Sequence, residues 1–224
     1  MKINIGNTYI NCHNYKFCKE KVLIFAHGFP GTNRLPKLIP HLNKKGVAWV
    51  EINYKGDKYT NDKFSFIGSI KDIKNGINFI REKFNPIYLN ILGYSYGGFC
   101  TLNLIRTHRE FFNKIILLNP VIDANFFKIH PIMPTLWNIA KNILNLREKN
   151  YYEKEIDELI NRYNPIEFKK ELPKRIYIIQ STNDMLCPFN QAKKFAKEIE
   201  AIFIPLRGKS HDLEGDELIN ILPL

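Results

Sequence analysis

The chain of 224 residues has no apolar run near the ~18 residues that a membrane-spanning helix needs. Its opening, Met1-Lys2-Ile3-Asn4-Ile5, lacks the apolar stretch of a signal peptide, so a cytoplasmic location is the default expectation. Cysteine is scarce. The four residues Cys12, Cys18, Cys100 and Cys187 form no C-x-x-C pair, and no His/Cys cluster has zinc spacing. They read as free thiols; Cys12 and Cys18 are close enough in sequence to bridge, but cytosolic thiols stay reduced. Internal repeats, low-complexity tracts and interdomain linkers are absent, which predicts a single domain over residues 1–224. Acidic residues are in the minority, 22 against 33 Lys and Arg, for a formal net charge of +11. The basic residues are scattered and mixed with acids, and no nucleic-acid module is visible, so nucleic acid is not an expected partner. Anionic substrates or surfaces stay open.

What the chain does have is a regular alternation. Residues 3–5 and 9–11 are short β segments around a Gly6-Asn7 turn signal, a hairpin for a sheet edge. Residues 22–26, 47–52, 87–92, 114–118, 175–180 and 201–204 read as strands, several apolar enough to be buried on both faces. Helical patterns lie between them. Leu35, Leu38, Ile39 and Leu42 share a face, with Gly46 as the cap. Ile67, Ile70, Ile73, Ile77, Ile80 and Phe84 step by three and four until Asn85-Pro86 stops them. Residues 99–106, 188–199 and 212–221 complete the set. From 124 to about 165 the alternation breaks: there is no strand, only helical stretches at 125–146, interrupted by Pro131 and Pro134, and at 152–162. The pattern predicts a mostly parallel α/β sheet flanked by helices. Ligands of such a sheet bind at the carboxyl ends of its strands, so the loops after 26, 92, 118, 179 and 204 should share one edge.

One of those loops is Gly93-Tyr94-Ser95-Tyr96-Gly97, between a strand and a helix. G-x-S-x-G in that setting is a nucleophile elbow, a sharp turn that lifts the serine hydroxyl clear of the sheet. Its glycines leave room for the neighbouring strand and helix. The plainer alternative is a Gly-rich turn whose serine caps the helix. A serine hydroxyl needs a base, and His211 follows the last strand. A histidine needs an acid to fix its tautomer, and Asp184 follows the strand before; Asp123 is the rival acid. The order Ser95, Asp184, His211 is that of an α/β hydrolase. Asp212 adjoins His211 and reads as the N-cap of the last helix. An oxyanion needs two donors. The candidates are the backbone N–H of Tyr96 and, in the His27-Gly28-Phe29-Pro30-Gly31 loop, that of Phe29, since Pro30 has none. Cys187, near the proposed acid, reads as a buried bystander; His13, His41, His108 and His130 read as surface residues. No metal or organic cofactor is implied.

Together the 27–31 loop, Gly93-Tyr94-Ser95-Tyr96-Gly97-Gly98, Asp184 with Pro188 four residues on, and His211 resemble the α/β-hydrolase fold superfamily, from about residue 20 to the end. The S-Y-G-G elbow and D-x-x-x-P loop are similar to prolyl oligopeptidase-like peptidases and related acyl hydrolases, though the chain is short for a β-propeller beside that domain. H-G-F-P also resembles epoxide hydrolases and dehalogenases, which carry an aspartate where Ser95 stands. The resemblance implies a serine hydrolase with a small-molecule acyl substrate. A carboxylesterase-like activity is expected, with a peptidase of the prolyl oligopeptidase type or a thioesterase as alternatives. A non-catalytic binding protein on the same fold is the alternative from another class. His27 would be structural. The insertion at about 124–165 stands where many α/β hydrolases carry a helical lid. Phe126, Phe127, Met133 and Trp137 are its candidates to line an acyl pocket, the alternative being ordinary core.

Overall fold

The computed structural model describes residues 1–5, 8–31, 35–56 and 62–224. The expected Gly6-Asn7 turn and the middle of the loop at 53–63 lie outside the described residues. In chain order the strands are β1 (Lys2–Ile5), β2 (Thr8–His13), β3 (Lys21–Ala26), β4 (Ala48–Asn53), β5 (Tyr88–Tyr94), β6 (Lys114–Leu118), β7 (Ile176–Ser181) and β8 (Ile202–Leu206). They form one sheet in the order β1-β2-β4-β3-β5-β6-β7-β8. β1 and β2 are the antiparallel hairpin at one edge, and β2 runs antiparallel to β4. From β4 through β8 every pair is parallel.

The helices are α1 (Leu38–Lys44), α2 (Phe66–Phe84), α3 (Tyr96–His108), α4 (Phe126–Ile129), α5 (Met133–Ile143), α6 (Lys149–Arg162) and α7 (Phe189–Glu198). Strand periodicity divides the core into two layers. Val22, Ile24 and Ala26 of β3 face a cluster shared with α2, α3, α6 and α7. Leu23 and Phe25 face another built with Leu38 and Leu42 of α1 and with Leu213, Leu218 and Leu222. The rings of Phe25 and Trp49 stack there, 4.6 Å between centroids. Both are fully buried, and each contributes about 1.5–3 kcal/mol or more by leaving water. Among the described residues no helix is long and apolar enough to cross a membrane.

The elements depart from the pattern read in the sequence at Leu35, at 212–221 and at Asp212. Leu35 is buried but precedes α1 in a left-handed conformation, φ 49°, so the helix starts three residues later. At its other end Gly46 adopts φ 67°, and the amides of Gly46 and Val47 return to the carbonyls of Asn43 and Leu42, closing the helix. The stretch 125–146 is two helices, α4 and α5, parted around Pro131, which cannot donate a helical hydrogen bond. The expected last helix at 212–221 is only a 3-10 turn, Asp216–Leu218. Gly215 at φ 105° breaks it, and the Glu214 carbonyl is taken by the Lys37 amide, so this segment follows α1 instead of coiling. Asp212 therefore caps no helix; its carboxylate lies 3.4 Å from the Tyr94 hydroxyl. Cys12 and Cys18 are free thiols, buried, with their sulfurs 3.1 Å apart.

Candidate active site

Ser95 sits between β5 and α3 with φ 53° and ψ −117°. A non-glycine residue there carries roughly 1–3 kcal/mol of strain, which the surroundings must hold. They do so on both sides: the Ser95 amide donates to the Leu118 carbonyl at 2.9 Å, and its carbonyl accepts from Val121 at 3.0 Å. The glycines allow the approach. A Cβ on Gly97 would overlap the Ala26 carbonyl of β3, and one on Gly93 would lie 2.7 Å from the Gly97 carbonyl.

The loops after β5, β7 and β8 bring three side chains together. His211 Nε2 stands 3.0 Å from Ser95 Oγ, and His211 Nδ1 stands 2.8 Å from Asp184 Oδ2. A carboxylate can only accept, so Nδ1 carries the proton and Nε2 is left to accept from the serine hydroxyl. Asp184 is buried, and its charge is answered by donors as well as by His211: the amides of Leu186 and Cys187 reach Oδ1 at 2.9 and 2.8 Å. Asp123 is elsewhere occupied, accepting from the Asn125 amide and side chain and from the Asn164 side chain.

Three further residues hold this arrangement, and the sequence reading did not single them out. Gln180 Nε2 donates to Asp184 Oδ2 at 3.0 Å and to the Cys187 carbonyl at 2.8 Å. Asn119 Nδ2 donates to the His211 carbonyl at 2.9 Å and to Ser181 Oγ at 3.1 Å. The Tyr94 hydroxyl donates to the same His211 carbonyl at 2.9 Å. Buried polar side chains at strand ends were the available signal, since each must find partners. Cys187 lies beside Asp184 and His211, the donor atoms of all three within 4.8 Å of one another. Burial, with the charge of Asp184 adding to it, pushes its thiol well up, so it is held protonated and is a poor nucleophile or metal ligand.

The loop after β3 passes directly by Ser95: a Cβ on Gly28 would lie 3.3 Å from Ser95 Cβ. His27 is tied within this loop, its Nδ1 2.8 Å from the Gly28 carbonyl. The Tyr54 hydroxyl donates to the His27 carbonyl at 2.7 Å, and the two rings lie 4.0 Å apart. Among the described hydrogen bonds the Phe29 amide has no acceptor. Tyr96 is the first residue of α3, so its amide is one of those no helical carbonyl can reach. Its hydroxyl points away, donating to the Phe66 carbonyl at 2.6 Å, and burial pushes that phenol well up.

The candidate pocket residues divide. Phe126 lines a cavity of 270 Å3 with Val121, Ile122, Leu186 and Cys187. Phe127, Met133 and Trp137 line a larger groove of 1170 Å3, whose described lining includes none of Ser95, Asp184, His211, Phe29 or Tyr96. The rings of Trp137 and Phe29 lie 5.4 Å apart, and those of Phe127 and Tyr96 5.7 Å, so an aromatic layer separates that groove from the elbow.

Residues 37–214 match the family described as "Prolyl oligopeptidase family". Among curated proteins, the chain is 22% identical over 210 residues to dipeptidyl peptidase family member 6 of Caenorhabditis elegans, covering 88% of this chain and 28% of that protein. It is 23% identical over 203 residues to the acylamino-acid-releasing enzyme of Rattus norvegicus, covering 83% and 27%. The chain thus spans little more than a quarter of the curated relatives it matches. Among solved structures, an alpha/beta hydrolase enzyme from a sediment metagenome of the Mar Chica lagoon, Morocco, superposes with a TM-score of 0.69 at 17% identity, covering 94% of this chain and 89% of that one. The fold is that of the α/β hydrolases.

Proposed function

Because the chain belongs to the prolyl oligopeptidase family, within the serine hydrolases of the α/β-hydrolase fold, we propose that it cleaves acyl bonds through an acyl-enzyme on Ser95, with short peptides or acylated amino acids as substrates. The observation that carries this reading is the unbroken relay at the strand ends, 3.0 Å from Ser95 Oγ to His211 Nε2 and 2.8 Å from His211 Nδ1 to Asp184.

The steps follow from the geometry. His211 Nε2 takes the hydroxyl proton as Ser95 Oγ attacks the carbonyl carbon, and Asp184 balances the imidazolium. The carbonyl oxygen becomes an oxyanion between the amides of Phe29 and Tyr96, the latter at the positive end of α3. As the tetrahedral intermediate collapses, His211 gives its proton to the leaving amine. Water, deprotonated by His211, then attacks the acyl carbon and restores Ser95. The 270 Å3 cavity reaches the triad through Cys187, which lies beside Asp184 and His211, and we take it, with Phe126, Val121, Ile122 and Leu186 among its lining, as the subsite for one apolar side chain or short acyl group. The peptidase preference, in place of the carboxylesterase reading taken from sequence, rests on the family match and on the two named relatives.

A fluorophosphonate probe should label folded protein at Ser95, located by peptide mass spectrometry. Ser95→Ala should abolish labelling and lower turnover by about 10⁶. Anilides of apolar, N-acylated amino acids should be hydrolysed. Hydrolysis of nitrophenyl esters with no activity on any anilide would return the substrate to a carboxylic ester, and folded protein inert to the probe would sink the nucleophile assignment.

A further inference from the structure

The groove of 1170 Å3 enclosed by α4, α5 and α6 has no part in the chemistry above. Its volume is a little above the roughly 300–1,000 Å3 of small-molecule pockets, room for a long chain. Its floor is apolar and adaptable: Phe127, Met133, Trp137 and Ile156 contribute rings, a thioether and a branched chain. Its rim is cationic. Lys128, Lys141, Arg147 and Lys149 line it against two carboxylates. Those carboxylates are already engaged, Asp157 with Lys128 at 2.8 Å and Glu153 with Lys149 at 3.5 Å. Among the described ion pairs Lys141 and Arg147 have no acid partner; the Arg147 guanidinium lies over the Tyr151 ring at 4.6 Å.

An apolar trough with two unanswered cations at its mouth suits one kind of ligand, a long apolar chain that ends in an anion. We propose that this groove is a second binding site, for a free long-chain carboxylate, its chain laid against Phe127, Met133 and Trp137 and its head group at Lys141 and Arg147. The site stands independently of what Ser95 does. Its inner wall is the layer formed by Trp137 and Phe127, which touch Phe29 and Tyr96 on the other side. A ligand there is one aromatic layer away from Phe29 and Tyr96, the residues proposed above to hold the oxyanion.

The chain provides its own reporter. It has two tryptophans, and Trp49 is fully buried in the sheet, so a ligand in the groove changes the emission of Trp137. Monomeric dodecanoate titrated into the full chain carrying Ser95→Ala should give a saturable change, lost in Trp137→Phe. Decanoate should bind about fivefold more weakly, as expected for two methylenes partly removed from water. Both cations are exposed, so Lys141→Glu with Arg147→Glu reverses the rim without disturbing the core. That variant should retain its melting temperature and bind dodecanoate about tenfold more weakly or worse. Dodecanol should bind the parent more weakly than dodecanoate does. Equal affinity for dodecanol, unchanged affinity in the charge-reversed variant, no saturable signal, or a response to anionic vesicles alone would each overturn the proposal.

Discussion

Asp72 offers a sharp test of how the helix layer under the elbow is built. Its carboxyl is only 2% exposed, on the buried face of α2. Burial pushes it up from 3.8 to about 6, and the hydrogen bond from the Lys55 amide at 2.8 Å only partly offsets that. The folded protein therefore holds the Asp72 proton more tightly than the unfolded chain does. Between these two values the folded state binds more protons, so stability falls as pH rises. The penalty is absent below about pH 4 and complete above about pH 6. At about 1.4 kcal/mol per pH unit, it amounts to roughly 3 kcal/mol. Asp72→Asn keeps an acceptor for Lys55 and removes the titration. The stability of the variant relative to the parent should therefore climb by roughly 3 kcal/mol between pH 4 and pH 7, then level off. Urea unfolding followed by the emission of buried Trp49, at half-unit steps of pH, measures this directly. Because the cause is desolvation more than distant charge, the climb should persist in 0.5 M salt. A stability difference flat across that range would refute the assignment of a desolvated carboxyl at this position.

Two other perturbations probe the supports of the site. Glu155 of α6 accepts from the Phe66 and Ile67 amides at 3.0 and 3.1 Å and from the Ser65 hydroxyl, so it clamps the insertion to the start of α2. Glu155→Ala leaves those first-turn donors buried and unanswered and should cost about 3 kcal/mol, while Glu155→Gln should recover part of it; a urea midpoint unchanged in the alanine variant would contradict the clamp. Gln180→Leu removes a donor from the Asp184 oxygen that orients His211. It should slow fluorophosphonate labelling of Ser95 by roughly 10- to 100-fold. The labelling rate is the readout, with the melting temperature as control, and an undiminished rate would assign Gln180 to packing alone.

The insertion shows why a run of helices is harder to read than a turn. Apolar residues at 125–146 have helical spacing, and Pro131 marks the break between α4 and α5. Spacing along one segment does not say which neighbour it meets. Phe126 turned to the cavity beside Cys187, while Phe127, its immediate neighbour, turned to the groove and the Tyr96 ring. Adjacent residues on a helix point about 100° apart, so one pocket could not take both. α6 is held by long-range contacts from Glu155 to α2, and the Tyr163 carbonyl just beyond its end accepts from Asn103 of α3 at 3.0 Å. No local pattern encodes those pairs.

By itself the sequence determined the strand and helix alternation, the elbow and the order of Ser95, Asp184 and His211, because these depend on local periodicity and on turns that only glycine permits. The same local reasoning failed at 212–221, where Leu213 and Leu218 pack with Leu38 and Leu42 of α1 and a left-handed Gly215 ended the coil. Only the tertiary structure decided that three loops close to hydrogen-bond distance, and that His211 pairs with Asp184, 27 residues away in the chain, while Asp123 pairs with Asn125 and Asn164. It alone revealed Gln180, Asn119 and Tyr94 as supports, and the cationic groove behind the aromatic wall. The physical reason is that a buried polar group must be satisfied, but its chemistry does not say by which distant residue; that choice belongs to the packed sheet.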